Sequence, residues 1–178
     1  MSPPSSKTRV ALLRGINMGG HNVIRMADLK AVFGDLGCRE VRTYIQSGNV
    51  VFQSGRIDDR VITEAIRKRH GISPAVFVLD GARFRAVAEA NPFRKEAGNR
   101  VHVFFFHAAP ENVDAAKLEE LRIPSEQYHV GDHAFYLFAP DGVARSKLAM
   151  GLHRAIKANM TARNLNTVNK LLQMLEPD

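Results

Sequence analysis

The sequence contains a single cysteine, Cys38, and no tryptophan. One cysteine cannot form an internal disulfide, and it excludes a zinc site built from several cysteine ligands. No apolar run approaches the roughly 20 residues of a membrane span. Residues 1–7 are polar and rich in serine and proline, unlike the apolar segment of a secretory signal. We therefore expect a cytoplasmic protein that does not engage a membrane.

Acidic residues are missing from two stretches of the chain. Residues 1–27 carry four lysines and arginines and no acid, and residues 142–175 carry six and no acid, whereas the whole chain of 178 residues has a net charge of +7. If the two stretches fold against each other, they form a basic cleft that attracts phosphate groups, nucleic acid or an acidic small molecule. Scattered cations that only keep the protein soluble are the alternative.

The spacing of apolar residues predicts the order β-α-β-β-α-β over residues 8–79, which is a ferredoxin-like half. Residues 80–178 repeat this order more weakly. Their fourth strand is missing or shortened to residues 161–163, and an extra helix begins near Asn166 or Thr167. The predicted fold is therefore α+β, with two ferredoxin-like halves packed into one compact unit behind a disordered tail over residues 1–7.

A two-residue turn at Ser47-Gly48 predicts a hairpin in the first half. This turn would place Ile45 opposite Val50, with both side chains in the core. Tyr44 would then lie on the other face, which in ferredoxin-like RNA-binding domains is a platform for bases. Such platforms carry two or more aromatic residues, so a packed face is the alternative.

A glycine-rich loop over residues 14–22 connects the first strand to the first helix. Its Gly-x-x-x-Gly-Gly spacing matches neither the Rossmann fingerprint nor the P-loop. The glycines could bring backbone amides close to a ligand, with Arg14 as a bidentate clamp for an anion. A tight turn that needs positive φ angles is the alternative.

Two polar segments of the second half precede predicted helices. Arg145-Ser146-Lys147 opens one helix, and residues 161–167 lead into the last one. An anion could bind at either helix N-terminus, or the polar residues could serve only as caps. Together with the first half, the candidate ligand-binding residues are Arg14, Asn17, Gly19, Gly20, Tyr44, Gln46, Ser47, Asn49, Arg145, Ser146, Lys147, Arg163 and Asn164.

Residues for metal binding or nucleophilic catalysis do not form a pattern. No histidine pair has the spacing of metal ligands, and no pair of carboxylates stands out. Cys38 follows a predicted helix end, where a buried and inert thiol is expected. We predict no metal and no cofactor, and the sequence leaves open whether the protein is an enzyme.

Several motifs between about Thr8 and Leu175 carry a resemblance to a known family. They are Leu12–Gly20, Met26–Leu29, Arg42–Val50, Asn91–Phe93, Arg145–Leu148, Thr161–Asn164 and Asn166-Thr167. With these motifs the chain resembles a bacterial family of unknown function whose members open with Leu-Arg-Gly-Ile-Asn-Val-Gly-Gly. The resemblance implies an α+β fold of two ferredoxin-like halves. The activity of that family is not established, so the resemblance assigns no residue a catalytic role, and the catalytic residues, if any, stay unknown. Met18 replaces the usual valine, and Leu165 replaces the usual tryptophan.

The resemblance also implies one shared site, because its motif residues fall in the glycine loop, the first hairpin and the two basic C-terminal segments. The leading hypothesis is a protein that binds a phosphate- or nucleotide-like anion in a basic cleft. The alternatives are a nucleic-acid-binding protein, an enzyme for a phosphorylated substrate, and a protein whose motifs are purely structural. The oligomeric state is not predicted.

Overall fold

The computed structural model describes residues 7–176. Residues 1–6 of the predicted tail lie outside this range. Lys7, the last residue of that prediction, is instead the first residue of a β-strand.

The first elements follow the predicted order. Helical spacing buries Leu29, Val32 and Phe33 on one side of the first helix. The second helix begins after Asp58, whose carboxylate caps its first turn, and ends at Gly71 in the left-handed conformation. The elements are β1 (Lys7–Arg14), α1 (Met26–Asp35), β2 (Arg39–Tyr44), β3 (Asn49–Ser54), α2 (Asp59–His70) and β4 (Ala75–Asp80).

These four strands form one antiparallel sheet in the order β2-β3-β1-β4. One face of the sheet packs against α1 and α2, where the rings of Phe33 and Phe52 meet edge to face at 4.9 Å between centroids. In this register Leu12 lies opposite Asn49, and Arg14 lies opposite Ala75. The segments that leave β1, enter β3 and enter β4 therefore lie at the same end of the sheet.

The predicted register of the first hairpin is wrong by two residues. Tyr44 lies opposite Asn49, so four residues rather than two connect the strands. Ile45, predicted to point into the core, lies in this turn with half of its surface exposed. A two-residue turn would have kept Ile45 and Gln46 in the ladder, but the chain leaves the ladder two residues earlier, after Tyr44, and Ile45 has a positive φ of 49°.

The remaining elements repeat this pattern after one connecting helix. The predicted fourth strand is present in full: β8 has five residues and pairs with β5 along its length. Sequence reasoning shortened it because buried Thr161 and Arg163 interrupt its apolar pattern. The elements are α3 (Gly81–Glu89), β5 (Val101–Phe106), α4 (Ala115–Leu121), β6 (Gln127–Val130), β7 (Ala134–Phe138), α5 (Lys147–Ala155), β8 (Met160–Asn164) and α6 (Leu165–Leu175).

The second sheet is also antiparallel, in the order β6-β7-β5-β8. This order is the same as that of the first sheet when the strands are counted along each half. One face packs against α4 and α5, which approach closely at Gly151 because a β-carbon there would lie 3.0 Å from Leu121 Cδ1. Two four-stranded sheets and six helices therefore make up the mixed α/β fold of residues 7–176.

The described residues group into two compact units. Residues 7–85 and 171–176 belong to the first unit, and Ala86–Lys170 form the second. The predicted division lay at residues 79 and 80 and assigned the whole last helix to the second half. In the structure the end of α6 belongs to the first unit, where Arg42 donates a hydrogen bond to the Met174 carbonyl. A cation at the C-terminal carbonyls of a helix is favoured by the helix dipole.

Among the described residues, no helix is both long and apolar enough to cross a membrane.

Tyr136 gives a test of the second core. Its buried hydroxyl donates to the Val87 carbonyl at 2.8 Å, and burial raises the pKa of Tyr136 to about 12. Tyr136→Phe should lower the free energy of unfolding by about 1–2 kcal/mol, because the carbonyl loses its donor. Tyr128→Phe should change it by less than about 0.5 kcal/mol, because Tyr128 bonds the exposed Glu119 near the surface.

The same residue predicts a pH dependence. A phenol whose pKa is higher in the folded than in the unfolded protein stabilises the fold below pH 10, and this contribution is lost between pH 10 and 12. Denaturant titrations over that range should therefore show a steeper loss of stability in the wild type than in Tyr136→Phe. An equal loss of stability with pH in the two proteins would contradict the raised pKa of Tyr136.

Candidate functional site

The glycine loop is a short hairpin whose backbone demands its glycines. The Met18 carbonyl accepts from the His21 N–H at 2.9 Å, and the Met18 N–H donates back to the His21 carbonyl at 3.3 Å. Gly19 and Gly20 form the turn between them, both with positive φ, of 56° and 83°. This is the two-residue turn that matches the twist of a hairpin and that other residues adopt at a cost. Backbone conformation alone therefore accounts for the glycine pair.

Asn17 fastens this hairpin to its surroundings. Its side-chain amide pairs with the backbone of Ile24 in both directions, as Oδ1 accepts from the Ile24 N–H at 2.9 Å and Nδ2 donates to the Ile24 carbonyl at 3.0 Å. Nδ2 also donates to the Gln46 carbonyl at 2.7 Å. A single amide thus connects the two ends of the glycine loop to the turn of the next hairpin. We refer to residues 15–25 and 45–48 as the loop pair.

The second loop of the pair is fixed by hydrogen bonds to residues of β1 and β3. The Gly48 carbonyl accepts from the Leu13 N–H at 2.8 Å. Gly48 has a φ of 80°, and a β-carbon there would lie 2.7 Å from the Leu13 Cβ, so this position has no room for a side chain. Asn49 is fully buried and donates to the Tyr44 carbonyl at 3.0 Å and to Ser47 Oγ at 2.9 Å. These bonds fix the turn over residues 45–48.

Other predicted ligand-binding residues of the first unit remain accessible. Arg14, Gln46 and Ser47 are exposed, and Tyr44 is half-buried. Within residues 7–176 the backbone N–H groups of Gly19 and Gly20 have no hydrogen-bond acceptor. The accessible polar groups at the loop pair are therefore cations, a side-chain amide, a hydroxyl group and N–H donors.

The first helix begins at the end of the glycine loop. Arg25 occupies the capping position without a side-chain bond to the helix amides, and its guanidinium instead binds Asp28 in the first turn at 2.7 Å. This hydrogen bond holds the pKa of Asp28 below its usual value and raises the pKa of Arg25. The pair is solvated, so it adds little to stability.

In the second unit, two predicted ligand residues serve as helix caps. Buried Ser146 accepts from the Ala149 N–H at 2.9 Å at the start of α5. Asn164 accepts from the Thr167 N–H at 2.9 Å, so that α6 begins at Leu165, slightly before the predicted start. Both side chains satisfy amides that the first turn of a helix leaves unpaired.

Arg163 is buried on β8 and is not an accessible cation. Its guanidinium donates to Thr161 Oγ1 at 3.0 Å and to the Ala162 carbonyl at 2.8 Å. Burial lowers the pKa of Arg163 to about 10, so it is protonated at neutral pH. Arg145 and Lys147, in contrast, are exposed. Of the basic residues predicted for this segment, these two can meet a ligand without rearrangement.

The described residues contain neither a metal-binding cluster nor an activated cysteine. Among residues 7–176, no group of three or more histidine, cysteine, aspartate and glutamate side chains could hold a metal ion. Cys38 is buried, and its burial raises the pKa of the thiol above the ordinary value. A thiol in that state is a poor nucleophile at neutral pH.

Sequence reasoning missed the most unusual residue of the loop pair. Ile45 has a φ of 49°, a left-handed conformation that costs a β-branched residue about 1–2 kcal/mol. Ile45 follows the last residue of the strand, and because its side chain is apolar, the sequence pattern assigned it to the strand. No signal in the sequence marks this conformation.

Comparison with known proteins places the chain in a family. A family described as "Protein of unknown function (DUF1697)" matches residues 7–136, which is most of the chain. The chain belongs to this family. No curated protein matches significantly.

One solved structure shares the fold of this DUF1697 protein over its whole length. The conserved bacterial protein SP0830 from Streptococcus pneumoniae is 26% identical, with a TM-score of 0.72, over 97% of this chain and 100% of its own. Protein BT0572 from Bacteroides thetaiotaomicron is 12% identical over 88% of this chain and 92% of its own, but its TM-score is 0.23. The first comparison supports the architecture, and the chain is thus a member of a conserved but uncharacterised bacterial family.

The two left-handed glycines Gly48 and Gly71 give a matched test of the loop pair. Gly71→Ala should cost about 1 kcal/mol, because it meets only the backbone penalty with no atom within 4 Å of the new methyl. Gly48→Ala should cost about 3 kcal/mol or more, because the methyl also overlaps Leu13 and Ile16. Chemical denaturation measures both. Similar losses would show that the loop pair yields easily and is not held rigidly.

Proposed function

We propose that this DUF1697 protein is a binding protein that recognises an anionic, phosphate- or nucleotide-like ligand with the loop pair of its first unit. The observation that carries the proposal is the absence of acid from this surface: residues 14–25 and 45–48 contain Arg14 and Arg25 but no aspartate or glutamate. Arg25 is paired with Asp28 of the following helix, so the exposed Arg14 is the cation that contributes most to this surface. Donors and a cation on loops without acidic residues raise the local concentration of anions.

The charge of the first unit adds to this local effect. Residues 7–85 and 171–176 contain 14 lysines and arginines but eight aspartates and glutamates, so this unit carries most of the excess positive charge. The field of the unit therefore favours the approach of an anion before any specific contact forms. The second unit, with Arg145 and Lys147 exposed, is less basic as a whole.

Within the loop pair the residues have different roles in the proposed complex. Arg14, the last residue of β1 and the neighbour of the loop pair, supplies the charge and two parallel donors. The N–H groups of Gly19 and Gly20 and the side chain of Gln46 supply neutral donors. Asn17 does not contact the ligand but keeps the two loops in register, because its amide is used by Ile24 and Gln46. Preorganised loops lose little entropy when a ligand binds.

The proposal is for binding and not for catalysis. The loop pair contains no carboxylate, and its one histidine, His21, lies on an exposed turn. General acid–base catalysis needs a positioned group within reach of a reacting atom. We further propose that each unit is a ferredoxin-like fold, which its strand order β2-β3-β1-β4 supports and its counterpart in the second sheet repeats.

A thermal-shift titration with inorganic phosphate, ADP and ATP tests the proposal. A ligand that binds the native protein raises Tm with concentration, by an amount set by its Kd. We expect this rise for the wild type and for Arg56→Gln, which removes an exposed cation outside the loop pair. Arg14→Gln should abolish it.

The shift in Tm on adding ligand is compared within each variant, so that any effect of Arg14→Gln on stability itself cancels. An equal shift in Arg14→Gln and the wild type would contradict the proposed site. No shift in the wild type with any of the three compounds would contradict the proposed ligand class.

A further inference from the structure

The loop pair carries three exposed apolar side chains. Within residues 7–176 the structure has six large hydrophobic residues that are strongly exposed, and the loop pair holds three of them: Met18 at 66%, Val23 at 63% and Ile45 at 50%. Each lies next in sequence to a residue that the Asn17 amide joins, namely Asn17 itself, Ile24 and Gln46. The three residues, referred to below as the aliphatic patch, therefore lie on two loops that one side-chain amide holds together.

Ile45 is both exposed and strained. Its φ of 49° is a conformation in which glycine or asparagine would be less costly, and its half-exposed side chain gains little from packing in return. Strained residues of this kind cluster at functional sites, where the gain comes from a partner. Neither folding nor anion binding explains an isoleucine at this position.

The composition of the patch resembles that of a protein–protein interface. Methionine and arginine are enriched at such interfaces, whereas lysine and acidic residues are depleted. The loop pair together with Arg14 has this composition: residues 14–25 and 45–48 contain two arginines and the three exposed apolar residues, but no lysine or acid.

From these observations we infer that the loop pair is a docking surface for an acidic segment of another protein, whose apolar side chains cover Met18, Val23 and Ile45 while its carboxylates meet Arg14. The charge of the surface selects an acidic partner, and the aliphatic patch selects one with apolar side chains. The inference goes beyond the proposed anion site, because binding of phosphate does not use the apolar patch.

Single-stranded nucleic acid fits the same surface less well. Sites for single strands stack bases on aromatic side chains. Residues 14–25 and 45–48 contain no phenylalanine, tyrosine or tryptophan, and the neighbouring Tyr44 is half-buried. The aliphatic patch would remain uncovered in such a complex.

Ile45→Asn tests the inference because it has opposite effects on stability and binding. Asparagine tolerates a positive φ, so Tm should rise by about 2–4 °C. Binding of the partner should weaken roughly tenfold or more, as for an interface anchor. Met18→Gln and Val23→Thr test the patch without changing the strained position. Val61→Gln and Met150→Gln are the matched controls, since both residues are similarly exposed but lie on helices outside the loop pair.

The probe is a phage-displayed library of random peptides, selected on the full chain. The expected result is enrichment of peptides that combine aspartate or glutamate with aliphatic or aromatic residues. Their affinity, measured by fluorescence anisotropy on synthetic peptides, should fall in the three loop variants and in Arg14→Gln, and should persist in both controls.

Enriched peptides without acidic residues, affinity that Ile45→Asn leaves unchanged, or a Tm that this variant lowers would overturn the inference. So would binding of oligothymidylate or phosphatidylglycerol vesicles that depends on Ile45 while acidic peptides fail to bind. If phosphate or nucleotides bind through Arg14 but no peptide does, the inference falls and the anion site stands. If peptides bind and the small anions do not, the proposed anion site falls and the docking surface stands.

Discussion

The structure of the first unit at its loop end depends on the side-chain amide of one residue, Asn17. Its oxygen accepts from the Ile24 N–H, and its nitrogen donates to the carbonyls of both Ile24 and Gln46. Without it, a loop of eleven residues with five positive φ angles would be joined to the neighbouring turn by much weaker constraints. Each such conformation is costly or entropically unfavourable by itself, and the network of bonds around the amide makes the combination stable.

Other polar motif residues also use their side chains to bond the backbone. Asn49, Ser146 and Asn164 use their side chains to satisfy the backbone in turns and helix ends. Buried polar groups need such partners, and a turn or a helix end supplies them at fixed positions. A structural role thus explains why these residue types stand at these positions. The accessible candidate groups that remain are fewer: the side chains of Arg14, Gln46, Ser47, Arg145 and Lys147 and the backbone N–H groups of Gly19 and Gly20.

Much of the architecture could be predicted from the sequence, because apolar spacing reports which side of an element is buried. The helices ending near Asp35 and at Gly71 and the repeated element order are examples. The register of the first hairpin could not be predicted, since it depends on where Ile45 leaves the strand, and a side chain does not reveal its φ angle. Strand β8 was underestimated because its buried residues include Arg163, whose polarity indicates exposure in a pattern-based prediction. The candidate site could be predicted only in part for a similar reason. The sequence identifies the polar residues of the site, but only the structure distinguishes those that bond the backbone from those that face solvent.

The composition of the first unit has a consequence for synthesis on the ribosome. Its strands and helices emerge early, yet residues 171–176 belong to it as well, with Met174 receiving the hydrogen bond from Arg42. The intervening residues 86–170 form the second unit. The first unit is therefore completed only after the whole second unit has been synthesised, and the Arg42 side of its sheet must stay available until residues 171–176 have left the exit tunnel.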